Sequence, residues 1–143
     1  MNKNVKIARE LIKIAKSLVA GNQVANEKGK YENFTGIINW KGTEGIVMNA
    51  TFELVPDGSI YWYDGTWKGG TWITGRWYGG TWENGTWKGG QFRRGVWNDG
   101  TWENGIWYGT AKWKDGTWID GKTEGVVSIL HPAFSAIFNK NNQ

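Results

Sequence analysis

Residues 80–90 read GTWENGTWKGG, and the five-residue beat inside that stretch governs most of the chain. Trp returns at Trp62, Trp67, Trp72, Trp77, Trp82 and Trp87; Phe92 holds the next place; Trp97, Trp102 and Trp107 follow. After a one-residue slip come Trp113 and Trp118. Gly keeps the same time from Gly65 to Gly105, and again at Gly116 and Gly121. A fixed internal period marks a repeat architecture, in which each unit buries its apolar face against its neighbours.

Each pentad ends in a turn-forming pair, among them Asp64-Gly65, Gly69-Gly70, Asn84-Gly85, Gly89-Gly90, Asp99-Gly100, Asn104-Gly105, Asp115-Gly116 and Asp120-Gly121. A two-residue type I′ hairpin turn needs φ > 0 at both central positions, and Asn-Gly, Asp-Gly and Gly-Gly tolerate that. The expected fold class is mainly β: an antiparallel meander of very short strands with two-residue turns, plus one N-terminal amphipathic helix. Directly paired residues share a face. The meander therefore gathers Trp67, Trp72, Trp77, Trp82, Trp87, Phe92, Trp97, Trp102, Trp107, Trp113 and Trp118 into one aromatic row. Polar residues take the other face, with Arg76 opposite Glu83.

Each indole can bury roughly 150–250 Å², worth about 4–6 kcal/mol at ~25 cal/mol per Å². A hydrated row of ten far exceeds the apolar patch a soluble monomer shows. The ribbon needs cover, so the expected partner is the chain itself or a larger protein assembly.

An alternative geometry winds four pentads into one coil of a square β-helix, with Trp inward and Gly two residues before it. That reading resembles the pentapeptide-repeat family. Its corner needs φ > 0 at one residue only, whereas most turn pairs here offer two, which favours the meander.

The flanks divide as follows. Residues 1–21 read as an amphipathic helix or leader, with Ile7, Leu11, Ile14 and Leu18 as a docking stripe. Residues 22–30 are a polar linker. Residues 31–63 form a β segment, in which Ile46, Met48, Ala50, Phe52 and Leu54 alternate with more polar neighbours. Pro56-Asp57-Gly58 then makes a turn. Residues 64–121 are the pentad ribbon. Residues 122–143 are a capping strand and tail, with Val126 to Leu130 as the strand candidate.

The 143 residues fit one domain, with 22 Gly, 12 Trp and no Cys. Disulfide and thiolate-metal chemistry are therefore excluded. A charge of +4 and a pI near 9.3 are a mild excess that does not argue for nucleic acid. The sequence has no run of 18 apolar residues, so no bilayer-spanning helix is expected. Arg9, Glu10, Lys13 and Lys16 interrupt any secretory h-region, so no standard signal peptide is expected.

Tyr63-x-Gly65-x-Trp67-x-x-Gly70 and Tyr78-x-Gly80-x-Trp82-x-x-Gly85 resemble the opening half of MORN repeats, which implies antiparallel hairpins serving protein or lipid contacts. The Gly-Thr-Trp array is similar to uncharacterised proteins of large tailed phages of the T4 kind. That resemblance implies a virion or assembly component, located in the virion or host cytoplasm; without it the expected location is cytoplasmic.

Chemical signatures are sparse. Residues 116–123 (GTWIDGKT) match the P-loop pattern, but the glycine beat supplies both glycines and a β-branched run follows instead of a helix. His131 is the single histidine, expected to be structural. The aspartates sit in turn positions. No catalytic residue, metal site or cofactor is expected. The functional expectation is a non-enzymatic structural or interaction protein on a rigid Trp-cored scaffold. The alternative is a carbohydrate-binding module that stacks glycan on Trp platforms.

Overall fold

The computed structural model describes residues 23–25 and 29–134. The N-terminal helix with Ile7, Leu11, Ile14 and Leu18 lies outside them, as does the end of the C-terminal tail.

The pentads pair in parallel, not antiparallel. Strand β4 (Ile60–Trp72) sets the first coil. Strands β5 (Gly75–Trp77), β6 (Thr81–Trp82) and β7 (Thr86–Trp87) lie on it in register, Trp62 on Trp77, Trp67 on Trp82 and Trp72 on Trp87. Strands β8 (Gln91–Phe92), β9 (Val96–Trp97) and β10 (Thr101–Trp102) form the third coil. Strands β11 (Ile106–Tyr108), β12 (Lys112–Trp113) and β13 (Thr117–Trp118) form the fourth, and β14 (Lys122–Glu124) begins a fifth. Each residue stacks on the one 15 positions earlier, or 16 earlier from Lys112 onward, so three pentads complete a coil. The architecture is a three-sided β-solenoid.

The expected meander is overturned by backbone conformation at the corners. Gly65, Gly80, Gly85 and their equivalents have positive φ, but no Asp or Asn before them does; among the described residues the only non-Gly ones with positive φ are Asn33, Lys41 and Asn49. The type I′ reversal that the meander needs takes two left-handed residues in succession, and each corner has only its glycine. The Asx side chain instead locks the bend: Gly85 N–H donates to Asn84 Oδ1 and Gly100 N–H to Asp99 Oδ1, both at 2.8 Å. The β-helix alternative holds in its essentials, with three sides in place of four.

Ring size accounts for the number of sides. Rings of successive pentads meet edge-to-face, with centroids 5.7 Å apart for Trp67–Trp72 and Trp72–Trp77. Rings 15 residues apart stack nearly parallel, 4.7 Å and 4° for Trp72–Trp87, 4.8 Å and 6° for Trp82–Trp97. Both geometries suit the aromatic quadrupole. Three indoles fill the cross-section, and a fourth side would open a void at the axis. Trp62 to Trp107 are fully buried. The chain thus seals its own aromatic row, and the row no longer requires a second copy to cover it.

Two axial hydrogen bonds per pentad hold the coils. The Trp82 carbonyl accepts from Asn98 N–H at 2.8 Å, and the Gly85 carbonyl from Thr101 N–H at 2.9 Å. The indole N–H groups fare less well. Trp72 Nε1 donates to the Gly89 carbonyl at 3.1 Å, whereas eight others have no partner among the described residues. Their edges abut the corner glycines instead; a Cβ on Gly95 would sit 3.0 Å from Trp77 Nε1. The one-residue slip is absorbed at a single corner. There Ala111 N–H donates to the Tyr108 carbonyl at 3.0 Å, and Thr110 Oγ1 donates to the Arg93 carbonyl.

The N-terminal end is closed by a hairpin. Strand β2 (Gly29–Trp40) turns at Lys41-Gly42 into β3 (Thr43–Leu54), which runs antiparallel along β4. Strand β1 (Gln23–Ala25) lies parallel on β2, so both β1 and the start of β2 fall within the segment read as linker. Tyr31 stacks on Phe52 and Phe52 on Trp62, which extends one ring column into the cap. A bulge at Asn49 flips the alternation, so Val47 rather than Met48 enters the core beside Ala50 and Phe52.

At the other end Val126 to Leu130 is not a strand. Its residues cross the mouth of the tube and seat His131 beneath the last indoles, 5.0 Å from Trp107, 5.2 Å from Trp113 and 4.5 Å from Trp118.

Candidate interaction surface

With Trp inward, the residues on either side of it point outward, and the 15-residue register sorts them onto three faces. The second face carries Thr66, Lys68, Thr81, Glu83, Val96, Asn98, Lys112 and Lys114. Lys68 and Glu83 form an ion pair at 3.0 Å. The third face carries a column of Thr71, Thr86, Thr101 and Thr117 beside Ile73, Lys88, Glu103 and Ile119. Arg76 and Glu83, expected opposite one another, lie on different faces.

The first face differs in kind. Its rungs are Tyr61 and Tyr63, Arg76 and Tyr78, Gln91 and Arg93, Ile106 and Tyr108, then Lys122 and Glu124. Arg94 stands exposed at the adjoining corner. Every Arg among the described residues and every outward Tyr is on or beside this face.

The register stacks these side chains. Tyr63 and Tyr78 lie parallel with centroids 5.7 Å apart. The Arg93 guanidinium takes the next place, 5.9 Å from the Tyr78 ring and 4.6 Å from the Tyr108 ring. Arg76 packs 5.1 Å over Tyr61 and donates to Tyr78 Oη at 3.3 Å. Arg93 also donates to Gln91 Oε1 at 2.8 Å. Lys30 sits 5.4 Å over Tyr63, whose hydroxyl donates to Glu53 Oε1 at 3.3 Å. Partial burial and the Glu53 charge push the Tyr63 hydroxyl above its usual range.

The aromatic row of the sequence lies elsewhere. Trp67, Trp72, Trp77, Trp82, Trp87, Phe92, Trp97, Trp102, Trp107 and Trp113 are buried, and Trp118 is half-buried under His131. No indole stands as a platform for a sugar ring, so the Trp platforms of the carbohydrate-binding alternative are not formed. Gly116 and Gly121 of the P-loop-like stretch are ordinary corners, and Lys122-Thr123 continues as strand β14 with no helix to receive a phosphate.

His131 is 1% exposed, and burial pushes its imidazole down to about 4. Nδ1 accepts from Ala133 N–H at 3.0 Å, which leaves the neutral ring protonated on Nε2. Nε2 has no partner among the described residues, and the ring plugs the end of the tube against Trp107, Trp113 and Trp118. No group of three His, Cys, Asp or Glu among the described residues could hold a metal ion. No helix among them is long and apolar enough to cross a membrane.

No protein-family model, curated protein or solved structure matches the chain. Its function is therefore read from the arrangement of its own side chains.

The Tyr and Arg face carries a signal that was missed in the sequence. Tyr63, Tyr78, Arg93 and Tyr108 recur every 15 residues, three beats of the pentad.

Proposed function

We propose that the chain is a non-enzymatic structural and interaction component of a larger protein assembly. A phage virion or its assembly intermediate is the kind of particle that the sequence resemblance implies. The stacked indoles make a stiff rod, and the outward faces make the contacts. The observation that carries this reading is the segregation of all outward Tyr and described Arg to one of three faces. Packing of the core does not require it, because buried aromatic rings line the core behind all three faces, with Phe92 in place of one Trp behind this one. Tyr and Arg are also the residues enriched where protein interfaces concentrate their binding energy.

Gradient sedimentation of lysate from the native source tests the proposal. The 16.2 kDa chain is expected to travel with a particle many times its mass. Recovery as a free monomer in every fraction would overturn it.

A further inference from the structure

Resting on the scaffold reading, we propose that the face built from Tyr61, Tyr63, Arg76, Tyr78, Arg93 and Tyr108 docks a carboxylate-bearing surface of a partner protein. Charge complementarity is the first argument. Neither Arg76 nor Arg93 is in an ion pair with a described carboxylate. Each is held by tyrosines on its planar side, Arg76 on Tyr61, and Arg93 between Tyr78 and Tyr108. A guanidinium fixed this way keeps N–H edges for a two-pronged bond to a carboxylate. Little rotamer freedom is lost on binding, because stacking and the Gln91 bond have already ordered Arg93.

The distribution of acids selects the shape of the partner. Glu53 and Asp64 bound one end of the face, where Asp57 also feels the charge of Arg76, and Glu124 bounds the other. A phosphate chain running along the axis would meet both ends. A compact carboxylate patch meets only the basic middle.

Ring packing argues the same way. The faces of Tyr63 and Tyr78 cover each other, while Arg76 covers Tyr61 and Arg93 covers Tyr108. A base or sugar ring would have to displace these contacts to stack. Tyr63 spends its hydroxyl proton on Glu53, but the Tyr78 hydroxyl, which accepts from Arg76, and the remaining guanidinium N–H groups stay available as donors.

Five rungs at ~4.8 Å and five residues at ~3.3 Å give a face of about 20 by 16 Å. That is below a standard-size interface. Single-site binding is therefore weak, and repeated copies in an assembly strengthen it.

The test measures anisotropy of a labelled deca-glutamate peptide and of a labelled 15-mer of thymidylate against the full chain at about 50 and 150 mM salt. Two variants carry the same loss of charge: R76Q/R93Q on the first face, and K112Q/K114Q on the second. Deca-glutamate is expected to bind in the micromolar range, at least tenfold weaker to R76Q/R93Q and less than twofold weaker to K112Q/K114Q. Equal losses in the two variants, or no peptide binding, would overturn the assignment. Tighter binding of the thymidylate at the higher salt would also overturn it, in favour of nucleic acid. Gradient sedimentation of the R76Q/R93Q chain separates the two readings. If that variant still travels with the particle, the face is wrong and the scaffold stands; if wild type never does, the scaffold itself fails.

Discussion

The turn between β2 and β3 and the corners of the solenoid are both built around a glycine, yet one reverses the chain and the other only bends it. At the hairpin, Lys41 and Gly42 both have positive φ, 52° and 81°. At the corner after β6, Gly85 has φ 124° while Asn84 stays outside that region. Two left-handed residues in succession close the tight hairpin, and a single left-handed glycine turns each corner of the tube. Space differs as well. A Cβ on Gly42 would meet nothing within 4 Å, whereas a Cβ on Gly85 would lie 2.4 Å from the Gly70 carbonyl oxygen.

The largest effect therefore comes from breaking a corner. Gly85→Ala combines a conformation that side chains rarely adopt with a clash against backbone that cannot yield. Strain and overpacking together cost about 3–5 kcal/mol. Gly42→Ala costs only about 1–2 kcal/mol, the ordinary penalty for a left-handed Ala. Urea unfolding of the two variants checks the comparison. Equal losses would mean that the corner is not the tight element described.

Much of this was legible. The pentad period fixed which residues are core, because Trp and Phe at every fifth position could go nowhere but inside. The turn residues were also legible, but their number was misleading. Gly79 and Gly89 precede a corner Gly without themselves taking positive φ, so a pair of glycines did not signal a reversal. Asn84 and Asp99 serve as oxygen acceptors at the bend and not as left-handed residues. The closing of the tube depended on longer-range evidence. The outward Tyr63, Tyr78 and Tyr108 fall at multiples of 15 and not of 20, and a three-sided coil places them on one face. The bulge at Asn49 left no mark in the alternation, since Ile46 and Met48 are as apolar as the Val47 that replaced them in phase.

The two ends of the tube differ in pH response. The N-terminal end is closed by Phe52, Val47 and Ala50, none of which titrates. The C-terminal end is closed by His131, whose imidazole is pushed from 6.5 down to about 4 by burial. Below about pH 6.5 the unfolded chain takes up a proton that the folded chain resists, so stability is full above that pH and falls toward pH 4. Between pH 7.5 and 4.5, wild type should lose about 2–3 kcal/mol more than His131→Phe, which keeps a ring in the plug without titrating. Urea midpoints for both proteins at the two pH values measure it. Parallel pH profiles would place His131 outside the closed end.

The smallest effect sharpens the contrast at the corner itself. Asn84→Ala removes the oxygen that accepts from Gly85 N–H and leaves the backbone conformation accessible, so it should cost about 0.5–1.5 kcal/mol. Asn84→Gly should fall in the same range or below, because Gly79 and Gly89 occupy the matching place in neighbouring pentads. In the hairpin the order differs: Lys41→Asn should stabilise by a few tenths of a kcal/mol, since Asn tolerates the left-handed region better than Lys, roughly as turn statistics imply. If Asn84→Ala instead cost as much as Gly85→Ala, Asn84 would have to be the second left-handed residue of a true reversal. The three-sided coil could then not be the folded state.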